Sequence, residues 1–178
     1  FIVTGHHKDD NIETFLINLI RGTGISGLCG IQFKNKNIVR PMLKISKQEI
    51  ELYLVDNKIK FRDDQSNSEI KYIRNKIRHQ LIPLMREINP SIDNTITNEI
   101  SIFNAVNKVF QQEVDKVRDS ILVEKNEIYK IKISDLNNLN NIEVFVFELL
   151  KPFGFSQTIQ IINAINTHSG KVFFSNKF

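Results

Sequence analysis

The stretch Thr4-Gly5-His6-His7-Lys8-Asp9-Asp10-Asn11-Ile12-Glu13-Thr14 decides the fold and the function predicted for this chain of 178 residues. It places two histidines and three carboxylates directly after the apolar run Phe1-Ile2-Val3. A short unbroken apolar run that ends at a glycine is typical of a buried parallel strand. Apolar residues then recur at helical spacing from Lys8 onward, so the stretch predicts a strand that leads into a helix.

The carboxylates of this stretch are predicted to share roughly one face of the helix. Asp9 and Glu13 are four residues apart and Asp10 and Glu13 are three apart, which is the spacing of neighbours on a helix surface. Such carboxylates can together hold Mg²⁺ or a substrate ammonium. The alternative is a charged, solvated helix start, although a solvated face does not need adjacent histidines after a buried strand.

Composition and charge limit the classes of protein that fit. The net charge of +4 and the pI of about 9.1 are compatible with a nucleic-acid partner without requiring one. The single cysteine, Cys29, excludes an internal disulfide and a Cys-x-x-Cys metal or redox site, and it fits a reducing compartment. Because the sequence has neither a membrane-length apolar run nor a signal peptide, we expect a cytoplasmic protein with no membrane partner.

Further elements are predicted along the chain. Gly22 ends the first helix and opens a glycine-rich loop that reaches Gly30, and such loops let a backbone approach phosphate. A helix end followed by turns remains the other interpretation of this loop. Ser46 and Glu49 form a capping box at the start of the next helix. The remaining predictions are an extended segment at 37–42, a polar loop at 61–68, a helix at 70–88 broken or kinked at Pro83, a long amphipathic helix from 92 to about 122, a half-buried strand containing Tyr129, Ile131 and Ile133, and helices at 141–150 and 156–166.

Basic residues outside the opening stretch are candidates for phosphate contacts. Arg74 and Arg78 are four residues apart, so they share a helix face and form a basic patch with Lys71. Ordinary surface charge paired with nearby carboxylates is the alternative for this patch. Arg40 precedes Pro41, whose rigid extended segment presents the guanidinium fork well for phosphate.

Five motifs in order resemble the tRNA(Ile)-lysidine synthetase family of the PP-loop ATP pyrophosphatase group. The resemblance covers residues 1 to about 90, and the remainder looks like the first C-terminal domain of the long form of the family. The motifs are Thr4 to Thr14, Arg21-Gly-Thr-Gly24 with Gly27-Leu28-x-Gly30-Ile31, Arg40-Pro41, Asp63-Asp64-x-Ser66-Asn67, and Arg74-Asn75-x-Ile77-Arg78 leading to Pro83.

The resemblance implies an α/β fold with two domains. Residues 1–90 would form the C-terminal half of a parallel-sheet PP-loop domain of the adenine nucleotide alpha hydrolase type. Residues 91–178 would form a small, mainly helical domain with a long linking helix. The nucleotide loop of the family, Ser-Gly-Gly-x-Asp-Ser, should precede Phe1 and is absent. We therefore expect a fragment from the middle of the enzyme, inactive by itself.

The resemblance also implies a ligase reaction that forms a carbon–nitrogen bond. ATP would adenylate the C2 oxygen of the wobble cytidine in a tRNA(Ile) with a CAU anticodon, and pyrophosphate would leave. The ε-amine of free L-lysine would then displace AMP to give lysidine. The implied cofactors are ATP and Mg²⁺, and a homodimer is possible.

Site residues are carried over from the matching motifs. Asp10 and Glu13 would grip the lysine ammonium or the metal, with Asp10 as the metal ligand, and His6 would lie close to the reacting centre. Asp9 would support them or stabilise the N-terminus of the helix, where the dipole favours a carboxylate. The expected substrate-binding residues are Asp9, Arg21, Thr23, Arg40, Arg74 and Arg78.

Other functions remain open at this point. A metal-dependent phosphoesterase would need further Asp or His ligands at other strand ends. A zinc site lacks the His-Glu-x-x-His spacing, and the single cysteine disfavours a tRNA thiolation enzyme. A fragment that binds tRNA without catalysis is the non-enzymatic alternative.

Overall fold

The computed structural model describes residues 1–60, 69–126, 128–155, 158–165, 167, 170–175 and 177. Contacts divide the chain into two compact units, residues 1–107 and 108–178. This division lies inside the long helix, whereas the predicted domain boundary lies before it at residues 90 and 91. The difference arises because Ile96 and Ile100, early in that helix, belong to the core of the first unit. The domain assignment 1–90 and 91–178 stays a prediction.

The first unit contains a small mixed sheet and several helices. Its strands are β1 (Ile2–Val3), β2 (Lys34–Asn35) and β3 (Ile38–Val39), in the order β1-β3-β2. Its helices are α1 (Lys8–Arg21), α2 (Gly24–Leu28), α3 (Lys47–Asp56), α4 (Glu69–Lys76), a π-helical turn (Ile77–Leu81), α5 (Ile82–Ile88) and the first part of α6 (Ile92–Ile121). In the described part of the chain, no helix has the length and apolar character needed to cross a membrane.

The sheet confirms part of the predicted parallel pairing. β1 pairs in parallel with β3, while β2 pairs with β3 in the antiparallel direction. The prediction that β1 is buried is wrong, because Ile2 and Val3 are 54% and 68% exposed. β1 lies at the edge of the sheet and has a partner along one side alone. The fold is therefore α/β with a sheet that is parallel only in part.

Helix α1 has the predicted bounds and forms the centre of the first unit. Gly22 ends it in the left-handed conformation, with φ of 69°, which a glycine adopts without steric cost. The buried face of α1 packs against the π-helical turn, α5 and α6. The residues of this core are Ile12, Phe15, Leu16, Ile17, Ile77, Ile82, Ile96 and Ile100.

Three local predictions were incomplete. The loop predicted at 22–30 contains the short helix α2. Of the extended segment predicted at 37–42, Ile38–Val39 is the second strand of a hairpin and a turn begins at Pro41; the first strand, β2, is polar and carries no alternating apolar pattern. The path from α4 to α5 continues through the π-helical turn, which precedes Pro83 and accommodates a residue that has no N–H to donate.

Of the two remaining predictions in the first unit, one is confirmed and the other concerns residues that the structure does not describe. The capping box is confirmed, because the amide of Ser46 donates to Oε2 of Glu49 at 2.8 Å and the amide of Glu49 donates to Oγ of Ser46 at 3.2 Å. The polar loop predicted at 61–68, with the motif Asp63–Asn67, lies outside the described residues.

The described part of the second unit is mainly helical. After the rest of α6 it contains the antiparallel hairpin β4 (Val123–Lys125) and β5 (Ile128–Lys130), then α7 (Ile133–Asn137), α8 (Ile142–Leu150), a 3₁₀ turn (Lys151–Phe153) and α9 (Ile159–Ile165). The predicted strand is confirmed at Tyr129, but the residues of β5 are all exposed rather than half-buried, and Ile133 begins α7 instead of extending the strand. Leu136, Val146 and Leu149 form its core, beside an apolar cavity of about 500 Å³.

Candidate functional site

Two hydrogen bonds join the first turn of α1 to the start of α3 and to the segment just before it. The amide of Lys47, the first residue of α3, donates to Oδ2 of Asp9 at 2.8 Å. The amide of Lys8 donates to the carbonyl oxygen of Ile45 at 2.9 Å. Asp9 therefore stabilises the N-terminus of a second helix, where the dipole favours a negative charge. The supporting role of Asp9 in the site stays a prediction.

Asp10 stabilises the N-terminus of its own helix. The amide of His7 donates to Oδ2 of Asp10 at 3.0 Å, which satisfies a donor that precedes the helix. The other carboxylate oxygen, Oδ1, lies 3.8 Å from Nη2 of Arg78. Asp10 thus has a structural contact through one oxygen and a cationic neighbour at the other.

His7 lies between the two aspartates, a role that the sequence did not reveal. Its Nδ1 is 3.5 Å from Oδ2 of Asp9, and its Nε2 is 3.3 Å from Oδ2 of Asp10. The contact with Asp9 raises the pKa of His7, against the opposing effect of burial. The same contact, with the Lys47 amide, lowers the pKa of Asp9 to about 2. The adjacent histidines were the available signal, but they did not show which of them contacts the carboxylates.

His6 is held at the end of β1 rather than among the carboxylates. Oγ1 of Thr4 and Nδ1 of His6 are 3.0 Å apart, and the imidazole is half-buried. The structure therefore fixes His6 beside the junction, in contact with Thr4. Its catalytic role stays a prediction.

Glu13 is the buried centre of the charged cluster, and its side chain is 1% exposed. Nε of Arg78 donates to Oε1 of Glu13 at 2.6 Å, and Nη2 of Arg78 donates to Oε2 at 3.1 Å. Nε of Arg74 lies 3.4 Å from Oε2, and Nη2 of Arg74 lies 3.5 Å from Oγ1 of Thr14. The bonds with Glu13 raise the pKa of Arg78 above its usual value, so Arg78 keeps its charge.

The basic patch predicted on a helix face is therefore directed at α1 in part. Arg74 and Arg78 share the face that their spacing predicted, and both contact Glu13. Their side chains are 31% and 36% exposed, although Nε of Arg74 is itself buried and has no hydrogen-bond partner among the described residues. The side chain of Lys71 lies outside those that the structure describes.

Asparagine side chains fix the glycine-rich segment to α1 and α6. Oδ1 of Asn11 accepts the amide of Ile31 at 2.6 Å, and Nδ2 of Asn18 donates to the carbonyl oxygen of Gly27 at 2.8 Å. From α6, Nδ2 of Asn104 donates to the carbonyl oxygen of Cys29 at 2.8 Å. The signal that could have identified the first two is their spacing of seven residues, which places them on one side of α1.

Two glycines of this segment, Gly27 and Gly30, lie where an added Cβ would meet a neighbouring side chain. Gly30 has φ of +63°, and an added Cβ would meet the Asn11 side chain. Thr23 lies beside Gly27 at the start of α2, and its Oγ1 donates to the carbonyl oxygen of Asn18 at 3.3 Å. The role of Thr23 in substrate binding stays a prediction, and close packing is sufficient to explain Gly27 and Gly30.

Two predicted arginines lie apart from the carboxylates. Nη1 of Arg40 donates to the carbonyl oxygen of Gln32 at 2.9 Å, within the β-hairpin region. Its buried Nε has no hydrogen-bond partner among the described residues. Arg21 is exposed in the last turn of α1. Both remain candidates for phosphate contacts outside the charged cluster.

The donor set is too small for a closed metal site. Across the described ranges, no group of three or more His, Cys, Asp or Glu side chains is arranged to hold a metal ion. Mg²⁺ commonly keeps several waters and uses one or two carboxylates with substrate phosphates. Asp10 fits that limited role, whereas Glu13 is already bonded to Arg78.

Comparison with known proteins gives two family matches that together cover most of the chain. Residues 1–85 match the PP-loop domain, and residues 124–178 match the TilS substrate binding domain. The tRNA(Ile)-lysidine synthase of Bacteroides thetaiotaomicron is 41% identical over 99% of this chain and 41% of its own length. That of Porphyromonas gingivalis is 35% identical over 99% of this chain and 38% of its own length. The chain thus spans about two fifths of the length of these curated relatives.

Proposed function

Because the chain belongs to the tRNA(Ile)-lysidine synthase family, we propose that it supplies part of an ATP-dependent ligase that attaches lysine to the wobble cytidine of a tRNA(Ile) with a CAU anticodon. The observation that carries this proposal is 41% identity to one such enzyme over 99% of the chain. Because the proposed reaction uses ATP and tRNA, we propose that it occurs in the cytoplasm. A homodimer remains a prediction.

The proposed reaction has two steps. In the first, the C2 oxygen of the cytidine attacks the α-phosphorus of ATP, and pyrophosphate leaves. In the second, the ε-nitrogen of lysine attacks C2, the bond from C2 to the phosphorylated oxygen breaks, and AMP leaves with that oxygen. A proton must be removed from the lysine nitrogen, and the nucleophile must be held in line.

Asp10 is the residue that we propose to hold the lysine ammonium or a magnesium ion. Its Oδ1 lies 3.8 Å from Nη2 of Arg78, while its Oδ2 is fixed by the His7 amide. Mg²⁺, if bound there, would neutralise the polyphosphate. His6 at the strand end is the proposed neighbour of the reacting centre.

The arginines are the proposed phosphate contacts. Arg78 carries its charge with a raised pKa, and Arg74 lies beside it with a similar exposure. Arginine forks match phosphate oxygens well. Arg21, Thr23 and Arg40 are proposed as further substrate contacts elsewhere in the first unit.

Specific observations disfavour the alternatives. A metal-dependent phosphoesterase needs several carboxylate or histidine ligands together, and the described residues offer no group of three. Sulfur transfer needs a reactive thiol, but Cys29 is buried and burial raises its thiol pKa.

Incorporation of labelled lysine into a tRNA(Ile) transcript with a CAU anticodon, in the presence of ATP and Mg²⁺, tests the proposal. The assay compares this chain with a chimera in which the chain replaces the matching segment of the Bacteroides thetaiotaomicron relative. Lysine transfer by the chimera, with release of AMP and pyrophosphate, is the expected result, and we expect none by this chain alone, which spans about two fifths of the length of its relatives. A folded chimera that transfers no lysine, beside an active parent enzyme, would contradict the proposal.

A further inference from the structure

We propose that Glu13 is a positioning residue, which orients the guanidinium groups of Arg78 and Arg74 for a substrate phosphate instead of contacting lysine or metal itself. This inference rests on the proposed function and deepens it. It assigns to Glu13 a role different from the direct contact that the motif implied.

The burial of Glu13 separates it from lysine and metal. Its side chain is 1% exposed, and both of its oxygens accept hydrogen bonds from Arg78. A buried carboxylate is stable when it is paired and hydrogen-bonded, and removing a partner leaves an uncompensated charge. A lysine ammonium or a metal could therefore reach Glu13 only by displacing Arg78 from it.

The contacts with Glu13 leave part of the Arg78 guanidinium available to a ligand. Glu13 binds the edge of the guanidinium formed by Nε and Nη2. Nη1 has no hydrogen-bond partner among the described residues, and the side chain is 36% exposed. A bidentate pair fixes the guanidinium plane, so Glu13 sets the direction in which the remaining donors point.

The cluster around Glu13 has more positive than negative charge. One buried carboxylate faces two arginines, since Nε of Arg74 lies 3.4 Å from Oε2 of Glu13. Asp10 offsets part of the excess from a greater distance, 3.8 Å from Nη2 of Arg78. Two partly exposed arginine side chains beside one buried anion are suited to an anionic ligand. The phosphate can belong to the tRNA backbone or to the nucleotide.

The direction in which RNA affinity changes when a carboxylate is removed distinguishes a positioning residue from an uninvolved one. Glu13→Gln and the control Glu99→Gln each remove one negative charge from the first unit, and Glu99 is exposed on α6. Loss of an uninvolved carboxylate raises the affinity for an RNA polyanion slightly. Loss of a positioning residue lowers that affinity, because the arginines lose their orientation.

The experiment measures the affinity of the chain for the tRNA(Ile) transcript from about 50 to 200 mM salt. We expect Arg78→Gln to reduce the salt slope by about one unit. We expect Glu13→Gln to weaken binding by about 3- to 10-fold and Glu99→Gln to leave it equal or tighter. In the Arg78→Gln background, Glu13→Gln should have little further effect, because Glu13 acts through Arg78.

A second arm distinguishes the source of the phosphate. The chimera is titrated with ATP, with and without Glu13→Gln. Weaker tRNA binding, weaker ATP binding or both support the proposal and identify the phosphate. Unchanged binding of both ligands by folded Glu13→Gln would overturn it, and so would a rise in the Michaelis constant for lysine alone.

Two further results separate a failure of the Glu13 proposal from a failure of the proposed function. If Glu13→Gln does not fold, Glu13→Asp replaces it, because the shorter side chain keeps the charge and displaces the guanidinium. Folded Glu13→Asp that binds both ligands like the parent would overturn the proposal. Failure of the unchanged chimera to transfer lysine would instead reject the proposed function, and this inference with it.

Discussion

Nε of Arg78 lies 2.6 Å from Oε1 of Glu13, which is 65 residues earlier in the chain. This ion pair joins the middle of α1 to the π-helical turn. It stands beside the apolar core in which Ile12 and Ile77, each one residue from a member of the pair, are both buried. The charged cluster and the core of the first unit therefore depend on the same packing of two segments.

Removal of the buried carboxylate should destabilise the first unit strongly. Glu13→Ala leaves the guanidinium of Arg78 without its main partner, and breaking a buried pair costs about 3–5 kcal/mol. We expect about 3 kcal/mol because Arg78 is partly exposed. Glu51→Ala, which breaks the exposed i,i+4 pair with Lys47, is the control and should change the free energy of unfolding by less than about 0.5 kcal/mol. Urea denaturation measures both, and equal costs would contradict the buried-pair account.

Gly30 and Gly24 provide a matched test of the close approach to Asn11. Both have positive φ, +63° and +69°, but an added Cβ meets Asn11 and Ile100 at Gly30 and no atom within 4 Å at Gly24. Gly24→Ala should therefore cost about 1 kcal/mol, the conformational term alone. Gly30→Ala should cost about 2–4 kcal/mol, because the neighbours must also shift. Thermal unfolding compares them, and equal costs would show that the close approach carries no energy.

Local patterns predicted the elements whose signals are contained within one segment. Helix α1 and the capping box at Ser46 follow from periodicity and from residues three apart. β2 was missed because Lys34 and Asn35 are polar and the hairpin exists through pairing with β3. The exposure of β1 depends on what the sheet has beside it, which a strand's own sequence does not specify.

The sequence marked several residues of the charged cluster as candidates, but it missed His7 and did not reveal the pairing. The spacing of Arg74 and Arg78 placed them on one face, and the spacing of Asp10 and Glu13 did the same on α1. That these two faces meet, and that Glu13 is buried between the arginines, is a contact between distant parts of the chain. Such contacts follow from tertiary packing and leave no local pattern.

The contact between His7 and Asp9 should give stability that is largest in mildly acidic solution. The pKa of Asp9 is lowered to about 2 from 3.8, so its contribution is present above pH 3.8 and is lost as the pH falls toward 2. The pKa of His7 is raised from 6.5, so its contribution is present below pH 6.5 and is lost as the pH rises through the raised value. Both contributions coincide between pH 3.8 and 6.5.

Asp9→Asn measures this pH dependence. The shift in the pKa of Asp9 corresponds to about 2 kcal/mol, and solvent screening of this partly exposed pair reduces it to about 1 kcal/mol. The difference in unfolding free energy between the parent and Asp9→Asn should be largest near pH 5, fall below pH 3.8, and shrink in part above the raised pKa of His7. Above that pKa the Lys47 amide still donates to Asp9. A difference that does not vary with pH would reject the contact.

Asp10→Asn should separate catalysis from structure at the start of α1. Asparagine keeps an oxygen that can accept the His7 amide, so the cap is retained at a cost of about 1 kcal/mol or less. It removes the charge that we propose to hold the lysine ammonium or magnesium, so lysine transfer by the chimera should fall by about a hundredfold or more. Binding of the tRNA transcript should change by less than about threefold, because the arginines and Glu13 are unaltered. Loss of transfer and of binding together, in a folded variant, would make Asp10 a structural residue and leave the reaction without its proposed carboxylate.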